Sequence, residues 1–148
     1  MSHLILLVED NPTDEKLTLR AFQRCGVPSE IFVVRDGAEA LEYLWGEGRH
    51  PAAEPRRPDV VLLDLKLPRV DGLDVVRRLR ADERTRLTPI VVLTASREDE
   101  DVLASYSLGA NAYVRKPVDF AQFVDAAHTI SHFWLTLNER LPIRRSLV

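Results

Sequence analysis

Residues 4–12 read Leu-Ile-Leu-Leu-Val-Glu-Asp-Asn-Pro, and they contain a strand, its end and the start of a helix. The first five residues are apolar without interruption, which is too short a run for a helix and is typical of a strand buried on both faces. Two acids end the run. Asn11 and Pro12 then provide a helix N-cap and a proline at the first helical position. A buried strand that leads directly into a helix is the repeating unit of a parallel α/β sheet.

The same unit recurs four more times along the chain. The later apolar runs predict strands over residues 31–34, 59–63, 89–93 and 112–114. Each is followed by a stretch with helical periodicity, and the last helix is predicted to begin after Asp119 and to end near Pro142. Five strands alternating with five helices indicate a flavodoxin-like, doubly wound parallel sheet of the α/β class with strand order 2-1-3-4-5.

The predicted domain organisation is simple. Residues 1–140 are expected to form one domain, followed by a short tail over residues 141–148 and no output domain. Residues 46–58 contain three prolines and two glycines without periodicity, which predicts a loop.

Composition excludes several classes of function. The net charge is −3, from 20 basic and 23 acidic residues, which argues against a nucleic-acid-binding face. No apolar run approaches the length of a membrane span. The single cysteine, Cys25, has no partner for an internal disulfide, which favours a reducing compartment. Together these features predict a cytoplasmic protein that binds neither nucleic acid nor a membrane.

Polar groups of complementary chemistry stand where four of the predicted strands end. They are Glu9-Asp10, Asp64, Thr94-Ala95 and Lys116-Pro117. Because the carboxyl ends of parallel strands line one crevice, these groups are expected to converge. Acids at strand ends are also common helix caps and turn formers, but four independent strand ends with compatible groups favour a functional site.

The chemistry of these groups suits Mg²⁺ and a phosphoryl group. Closely spaced carboxylates repel one another, and a divalent cation with a preference for oxygen ligands relieves that repulsion. Asp64 is the central acid and the best candidate for a nucleophile that forms an aspartyl phosphate, while Glu9 and Asp10 would hold the metal. Lys116, the hydroxyl of Thr94 and the amide of Ala95 could stabilise the phosphoryl oxygens.

The combination of motifs resembles the receiver domain of two-component response regulators over about residues 3–138. The matching segments are Val8-Glu9-Asp10-Asn11, Leu62-Leu63-Asp64-Leu65, Leu67-Pro68 with Asp71-Gly72, Leu93-Thr94-Ala95 and Val114-Arg115-Lys116-Pro117. This resemblance implies that Asp64 accepts a phosphoryl group from a histidine of a sensor kinase. It further implies that Mg²⁺, or another divalent cation, is bound by Glu9, Asp10, Asp64 and the backbone carbonyl of Lys66.

The resemblance carries expectations about switching. Thr94 and Lys116 would contact the phosphoryl group, and Tyr113 would swing inward as Thr94 moves toward it. The Lys116–Pro117 peptide is expected to be cis. The protein would then be a phosphoacceptor switch, not an enzyme, because its chemistry is limited to its own aspartate.

A finer resemblance points to the small regulators that pair with phytochrome-type kinases, including bacteriophytochromes. It rests on Gly109-Ala110-Asn111-Ala112-Tyr113, Lys116-Pro117-Val118-Asp119-Phe120 and Phe133-Trp134-Leu135. The final helix also has more apolar residues than one inward stripe needs. We therefore expect a homodimer through the last two helices and the fifth strand, with Phe133 and Trp134 at the interface.

Other interpretations of the sequence stay open. A phosphorelay intermediate and a constitutive docking module with the same fold are the alternatives to a switch. A phosphatase of the haloacid-dehalogenase type is rejected because it needs a second acid two residues after the nucleophile, where Lys66 stands. His128 and His132 are four residues apart on the last helix and could bind a metal, but the sequence shows no third ligand and favours surface histidines.

Overall fold

The structure is a computed structural model that describes residues 3–47 and 57–142. Within these ranges five strands alternate with five α-helices, and the fifth helix continues into a π-helical segment. The strands are β1 (Leu4–Val8), β2 (Glu30–Val34), β3 (Val60–Leu63), β4 (Ile90–Thr94) and β5 (Ala112–Arg115). The helices are α1 (Pro12–Arg24), α2 (Gly37–Leu44), α3 (Gly72–Ala81), α4 (Asp99–Leu108) and α5 (Phe120–Ser131), and the π-helical segment is His132–Leu137.

All five strands pair in parallel in the order β2-β1-β3-β4-β5, so the predicted flavodoxin-like α/β fold is confirmed. Successive residues of a strand face opposite sides of the sheet. Ile5 and Leu7 of β1 therefore pack in the core under α1 and α5, whereas Leu6 and Val8 pack under α2 and α3. Because both faces are covered, every residue of β1, β3 and β4 is buried.

Side chains cap the starts of α1, α2 and α5, but not those of α3 and α4. The Asn11 side chain accepts hydrogen bonds from the backbone N–H of Thr13 and Asp14, at 2.9 and 3.0 Å. Asp36 accepts from the N–H of Glu39 at 2.7 Å. Asp71 occupies the N-cap position of α3, but its side chain makes no capping hydrogen bond.

The end of the last helix differs from the prediction. Regular α-helix stops at Ser131, the turns over His132–Leu137 are π-helical, and residues 138–142 are not helical. The hydroxyl of Thr136 donates to the carbonyl of His132, which competes with the N–H that would normally bond there. Asn138 then closes the segment by donating its N–H to Phe133 at 2.6 Å.

Two predicted segments fall partly outside the described residues. These are residues 48–56 of the predicted loop and residues 143–148 of the predicted tail. Among the helices in the described part of the chain, none has the length and apolar character needed to cross a membrane.

One position on the inward face of α1 carries a polar side chain. Thr18 is fully buried there, whereas the neighbouring Leu17 is more than a third exposed. The hydroxyl of Thr18 has no hydrogen-bond partner among the described residues. A buried polar group without a partner costs about 1–3 kcal/mol.

Replacing this hydroxyl with a methyl group should stabilise the protein. We expect Thr18→Val to raise the free energy of unfolding by about 1 kcal/mol, because it removes the unpaired group at nearly constant volume. Chemical denaturation followed by circular dichroism measures the change. Thr85→Val is the matched control, since the buried Thr85 hydroxyl donates to Leu79 and accepts from the Trp45 indole; this substitution should destabilise. A Thr18→Val protein as unstable as the control would contradict the interpretation.

Candidate functional site

The polar strand ends converge on Asp64, as predicted. Asp64 follows β3, which lies between β1 and β4 in the sheet. One of its carboxylate oxygens accepts a hydrogen bond from the hydroxyl of Thr94 at 2.9 Å, and the other accepts from the ammonium of Lys116 at 2.9 Å. Groups from the ends of three strands therefore meet at one carboxylate.

The Lys116 ammonium is the centre of charge in this site. Its Nζ donates to Glu9 at 2.6 Å, to Asp64 at 2.9 Å and to Asp14 at 3.0 Å. An ammonium has three hydrogens, and all three are used. The Lys116 side chain is only 8% exposed, so these bonds lie largely out of contact with water.

Burial and ion pairing set the protonation states of Glu9 and Lys116. Burial raises the pKa of Glu9 to about 7, although its hydrogen bond to Lys116 acts in the opposite direction. Burial alone would lower the pKa of Lys116, but the bonds to Glu9 and Asp64 outweigh it and hold that pKa above its usual value. Lys116 is therefore charged at neutral pH, while Glu9 exchanges its proton in this range.

The carboxylates fit a divalent cation. Oxygens of Glu9, Asp14 and Asp64 lie within 4.8 Å of one another. A few carboxylate oxygens completed by water are the ligands that Mg²⁺ prefers in proteins. When bound, Mg²⁺ would supply positive charge for a phosphoryl group at Asp64. The cation and the Lys116 ammonium would neutralise the same three carboxylates.

The residues of this cluster differ from the predicted metal ligands. Asp10 is exposed, and the structure does not bring its carboxylate into the cluster. Asp14, in the first turn of α1, contributes the third carboxylate of the cluster instead. The amide of Lys66 donates weakly to Asp64, at 3.4 Å. Metal binding by Asp10 and by the Lys66 carbonyl therefore remains a prediction.

Asp14 is the residue that the strand-end argument missed. The predicted convergence concerns residues at strand ends, whereas Asp14 is the third residue of a helix. The available signal was the Asn-Pro helix start directly after β1, which turns the first helical turn back over the strand end.

A chain of hydrogen bonds leads away from Asp64 through the predicted switch residues. Thr94 is buried, and its hydroxyl bonds Asp64. The phenol of Tyr113 donates to the carbonyl of Ser96 at 3.2 Å, and the Ser96 hydroxyl donates to Asp101 on α4 at 2.5 Å. The loop that follows Thr94 is thus bonded both to β5 and to α4. The inward movement of Tyr113 remains a prediction.

The predicted cis peptide is wrong. The Lys116–Pro117 bond is trans, since the described residues contain no cis peptide. The Lys116 N–H donates to the Thr94 carbonyl at 2.8 Å and continues the pairing of β4 with β5. From this position Nζ already reaches all three carboxylates. The trans form is also favoured intrinsically, by about 0.5–1 kcal/mol before proline.

Close packing fixes the backbone around Asp64. A Cβ atom at Gly72 would lie 2.5 Å from the carbonyl oxygen of Asp64 and 2.5 Å from the Cα of Leu65. The Gly72 N–H donates to the Leu65 carbonyl at 2.8 Å. Only glycine allows α3 to start this close to the end of β3, and the contact holds Asp64 in place.

Comparison with known proteins identifies the family. Residues 5–128 match the model of the response regulator receiver domain. A curated relative, the probable methanogenesis regulatory protein FilR2 of Methanothrix harundinacea, is 42% identical over 135 residues, which are 91% of this chain and 85% of FilR2. The matched residues thus include β2 to β5, all of β1 except Leu4, and most of α5.

Solved structures agree with this match. The phosphorylated cyanobacterial phytochrome response regulator RcpA is 37% identical, with a TM-score of 0.87 over 96% of this chain and all of RcpA. The Mn²⁺-bound form of response regulator Rcp1 is 32% identical, with a TM-score of 0.83 over 95% of this chain and 99% of Rcp1. The bacteriophytochrome response regulator RtBRR is 51% identical, with a TM-score of 0.76 over 96% and 86% of the two chains.

These matches settle the general activity. Receiver domains are phosphoacceptor switches that interact with sensor histidine kinases and use a divalent cation, and they are not enzymes in the usual sense. The acidic cluster around Asp64 fits that activity. By sequence, fold and site, this chain belongs to the response regulator receiver domain family.

Proposed function

We propose that Asp64 accepts the phosphoryl group from a phosphohistidine of a sensor kinase. The observation that supports this assignment is the position of its carboxylate, bonded at once to Thr94 and Lys116. In the reaction an Asp64 oxygen forms a bond to phosphorus as the bond between phosphorus and the histidine nitrogen breaks. Asp64 ends as an aspartyl phosphate and the kinase histidine is released.

The neighbouring groups stabilise the charge that the phosphoryl group brings. Lys116 and Thr94 already contact Asp64, so each needs only a short movement to reach a phosphoryl oxygen. Thr94 would withdraw its hydroxyl from Asp64, and the loop that carries Ser96 would follow. Because Tyr113 and Asp101 are bonded to this loop, the change would reach β5 and α4.

We further propose that the kinase is of the phytochrome type and that the protein acts as a single receiver domain over residues 1–140. RcpA and RtBRR, both named for phytochromes, match nearly all of this chain. The name of FilR2, which is 42% identical to this chain, does not refer to phytochromes. The proposed kinase type therefore rests on the matches to solved structures. A cytoplasmic location is part of the proposal, supported by the single buried, unpaired Cys25.

The proposed output includes a homodimer through α4, β5, α5 and the π-helical segment. Large apolar side chains are exposed in this part of the chain: Leu103, Tyr106, Val118, Phe133 and Leu137. Phe133 makes an edge-to-face contact with Trp134, whose centroid lies 5.0 Å away. Trp134 packs partly on the core of its own domain, so Phe133 offers more surface to a partner. No interface with nucleic acid is proposed, given the net charge of −3.

The phosphoacceptor assignment can be tested with Asp64→Asn. Incubated with Mg²⁺ and a small-molecule phosphodonor, the native protein should gain one phosphoryl group in intact-mass spectrometry, and Asp64→Asn should gain none because an amide is not a nucleophile here. Asp125→Asn, an exposed acid on α5, is the control and should behave as the native protein. A constitutive docking module would leave the native protein unmodified, which would overturn the proposal.

Proton competition at Glu9 should make Mg²⁺ binding depend on pH. The metal needs the ionised carboxylate, and Glu9 has a pKa of about 7, so affinity should fall as the pH drops below that value. The decrease should approach tenfold per pH unit if one proton competes. Isothermal titration calorimetry across this range measures it. Glu9→Gln should bind Mg²⁺ more weakly, and its affinity should change little between pH 6 and 7. A pH-independent Mg²⁺ affinity in the native protein would contradict the role of Glu9 as a ligand whose proton competes with the metal.

The dimer proposal predicts a change of mass with one surface substitution. Phe133→Glu should convert the dimer to a monomer in light scattering, because it places a charge in a desolvated apolar contact. Leu17→Glu is the control, since Leu17 is exposed on α1, which is not one of the elements of the proposed interface; this variant should remain dimeric. If the native protein is monomeric both in the absence and in the presence of Mg²⁺ and beryllofluoride, the proposed homodimer is refuted.

A further inference from the structure

Two histidines lie where α5 continues into the π-helical segment: His128 on α5 and His132 at the start of that segment. The N–H of His132 bonds to the carbonyl of His128, so the two residues lie one helical turn apart. Both side chains are exposed. Their rings are parallel to within 7°, with centroids 5.8 Å apart.

The hydrogen bond of His128 fixes its tautomer. Its Nδ1 lies 2.9 Å from the backbone carbonyl oxygen of Cys25, at the end of α1. A carbonyl oxygen can only accept, so Nδ1 must carry the hydrogen. In the neutral ring the lone pair is then on Nε2, the nitrogen farther from the backbone.

A hydrogen bond also fixes the tautomer of His132. Its Nδ1 lies 3.2 Å from the hydroxyl oxygen of Thr136. That hydroxyl donates its only hydrogen to the His132 carbonyl, so it can only accept from the ring. Nδ1 of His132 therefore also carries the hydrogen, and its Nε2 has the lone pair.

We propose that His128 and His132 form a binding site for a transition-metal dication of the Zn²⁺ type, with one Nε2 from each ring as ligands. Neutral imidazole is a preferred ligand of Zn²⁺, and a hydrogen bond from the other ring nitrogen orients the ring and increases its basicity. Both rings have that bond. The Nε2 lone pairs lie in the ring planes, so the two rings must tilt toward each other to bind one ion, and their exposure leaves room for that movement.

The two histidines would be the only protein ligands of the ion among the described residues. Among the described residues, no third histidine, cysteine or acid is close enough to complete a three-residue cluster with them. Water fills the remaining positions, which leaves the ion open to exchange. Asp125 stands three residues before His128 on the same helical face, and its charge favours a dication there.

The donor atoms separate this site from the one at Asp64. The acidic cluster offers only oxygens, which suit Mg²⁺, whereas the histidine pair offers nitrogens, which Mg²⁺ binds poorly. Excess Mg²⁺ can therefore saturate the first site while Zn²⁺ is titrated into the second. The proposal does not depend on phosphorylation or on the dimer.

The test is a Zn²⁺ titration of the full chain by calorimetry in excess Mg²⁺. The native protein should bind one equivalent, and His128→Gln and His132→Gln should each lower the affinity by more than about tenfold, since each removes one of two protein ligands. His3→Gln, at the other described histidine, should leave the affinity unchanged. Equal Zn²⁺ affinity in the native protein and in the two α5 variants would overturn the proposal, as would an absence of binding.

Thr136→Val tests whether the hydrogen bond that orients the His132 ring contributes to Zn²⁺ binding. This substitution keeps the shape of the side chain and both ligands, but removes the acceptor that orients His132. We expect the Zn²⁺ affinity to fall by about tenfold, the lower end of what losing such a partner costs. The free energy of unfolding, measured in parallel, shows that the variant is folded. An unchanged Zn²⁺ affinity would refute the orienting role and with it the proposed site.

Discussion

The contact between the Lys116 ammonium and three carboxylates is the interaction on which the rest of the site depends. Glu9 is almost fully buried, and a buried carboxylate without a partner is strongly destabilising. Asp14 and Asp64 bring two more negative charges to the same point. Lys116 makes this arrangement possible because each of its three hydrogens meets a different carboxylate. Under the proposed function, the same ammonium would also stabilise a phosphoryl group on Asp64.

The topology of the sheet explains why these groups meet. Strand β3 lies between β1 and β4, so Asp64 stands between Glu9 and Thr94, and Lys116 reaches in from β5 beyond Thr94. Thr94 and Lys116 each bond Asp64 directly, so a phosphoryl group placed there changes the best partner of both at once. Thr94 is connected onward through the loop bonded to Tyr113 and Asp101, whereas Lys116 is connected to α1 through Asp14.

Much of this could be predicted from the sequence because short apolar runs, helix caps and strand-end polar residues are local signals. The strand order, the convergence on Asp64 and the caps at Asn11 and Asp36 followed from them. Asp14 could not be found in this way, since its position depends on the direction in which α1 leaves β1. The peptide before Pro117 depends on an energy difference of about 1 kcal/mol, which sequence pattern does not resolve. The π-helical end of α5 coincides with a hydrogen bond from the Thr136 hydroxyl to the His132 carbonyl, which apolar periodicity and cap residues do not reveal.

Helix α1 is held by a hydrogen bond at each of its two ends. At its start Asp14 bonds Lys116, and at its end the carbonyl of Cys25 accepts from His128. Lys116 directly follows β5 and His128 lies on α5, and the two elements are joined by a few residues. The β5–α5 unit therefore holds α1 at both ends, and the apolar contact between α1 and α5 fills the space between. Under the proposed function, Lys116 would turn from Asp14 toward a phosphoryl oxygen, and the first of these attachments would be lost while the second remained. The start of α1, which lies beside Asp64, would then be the end that responds.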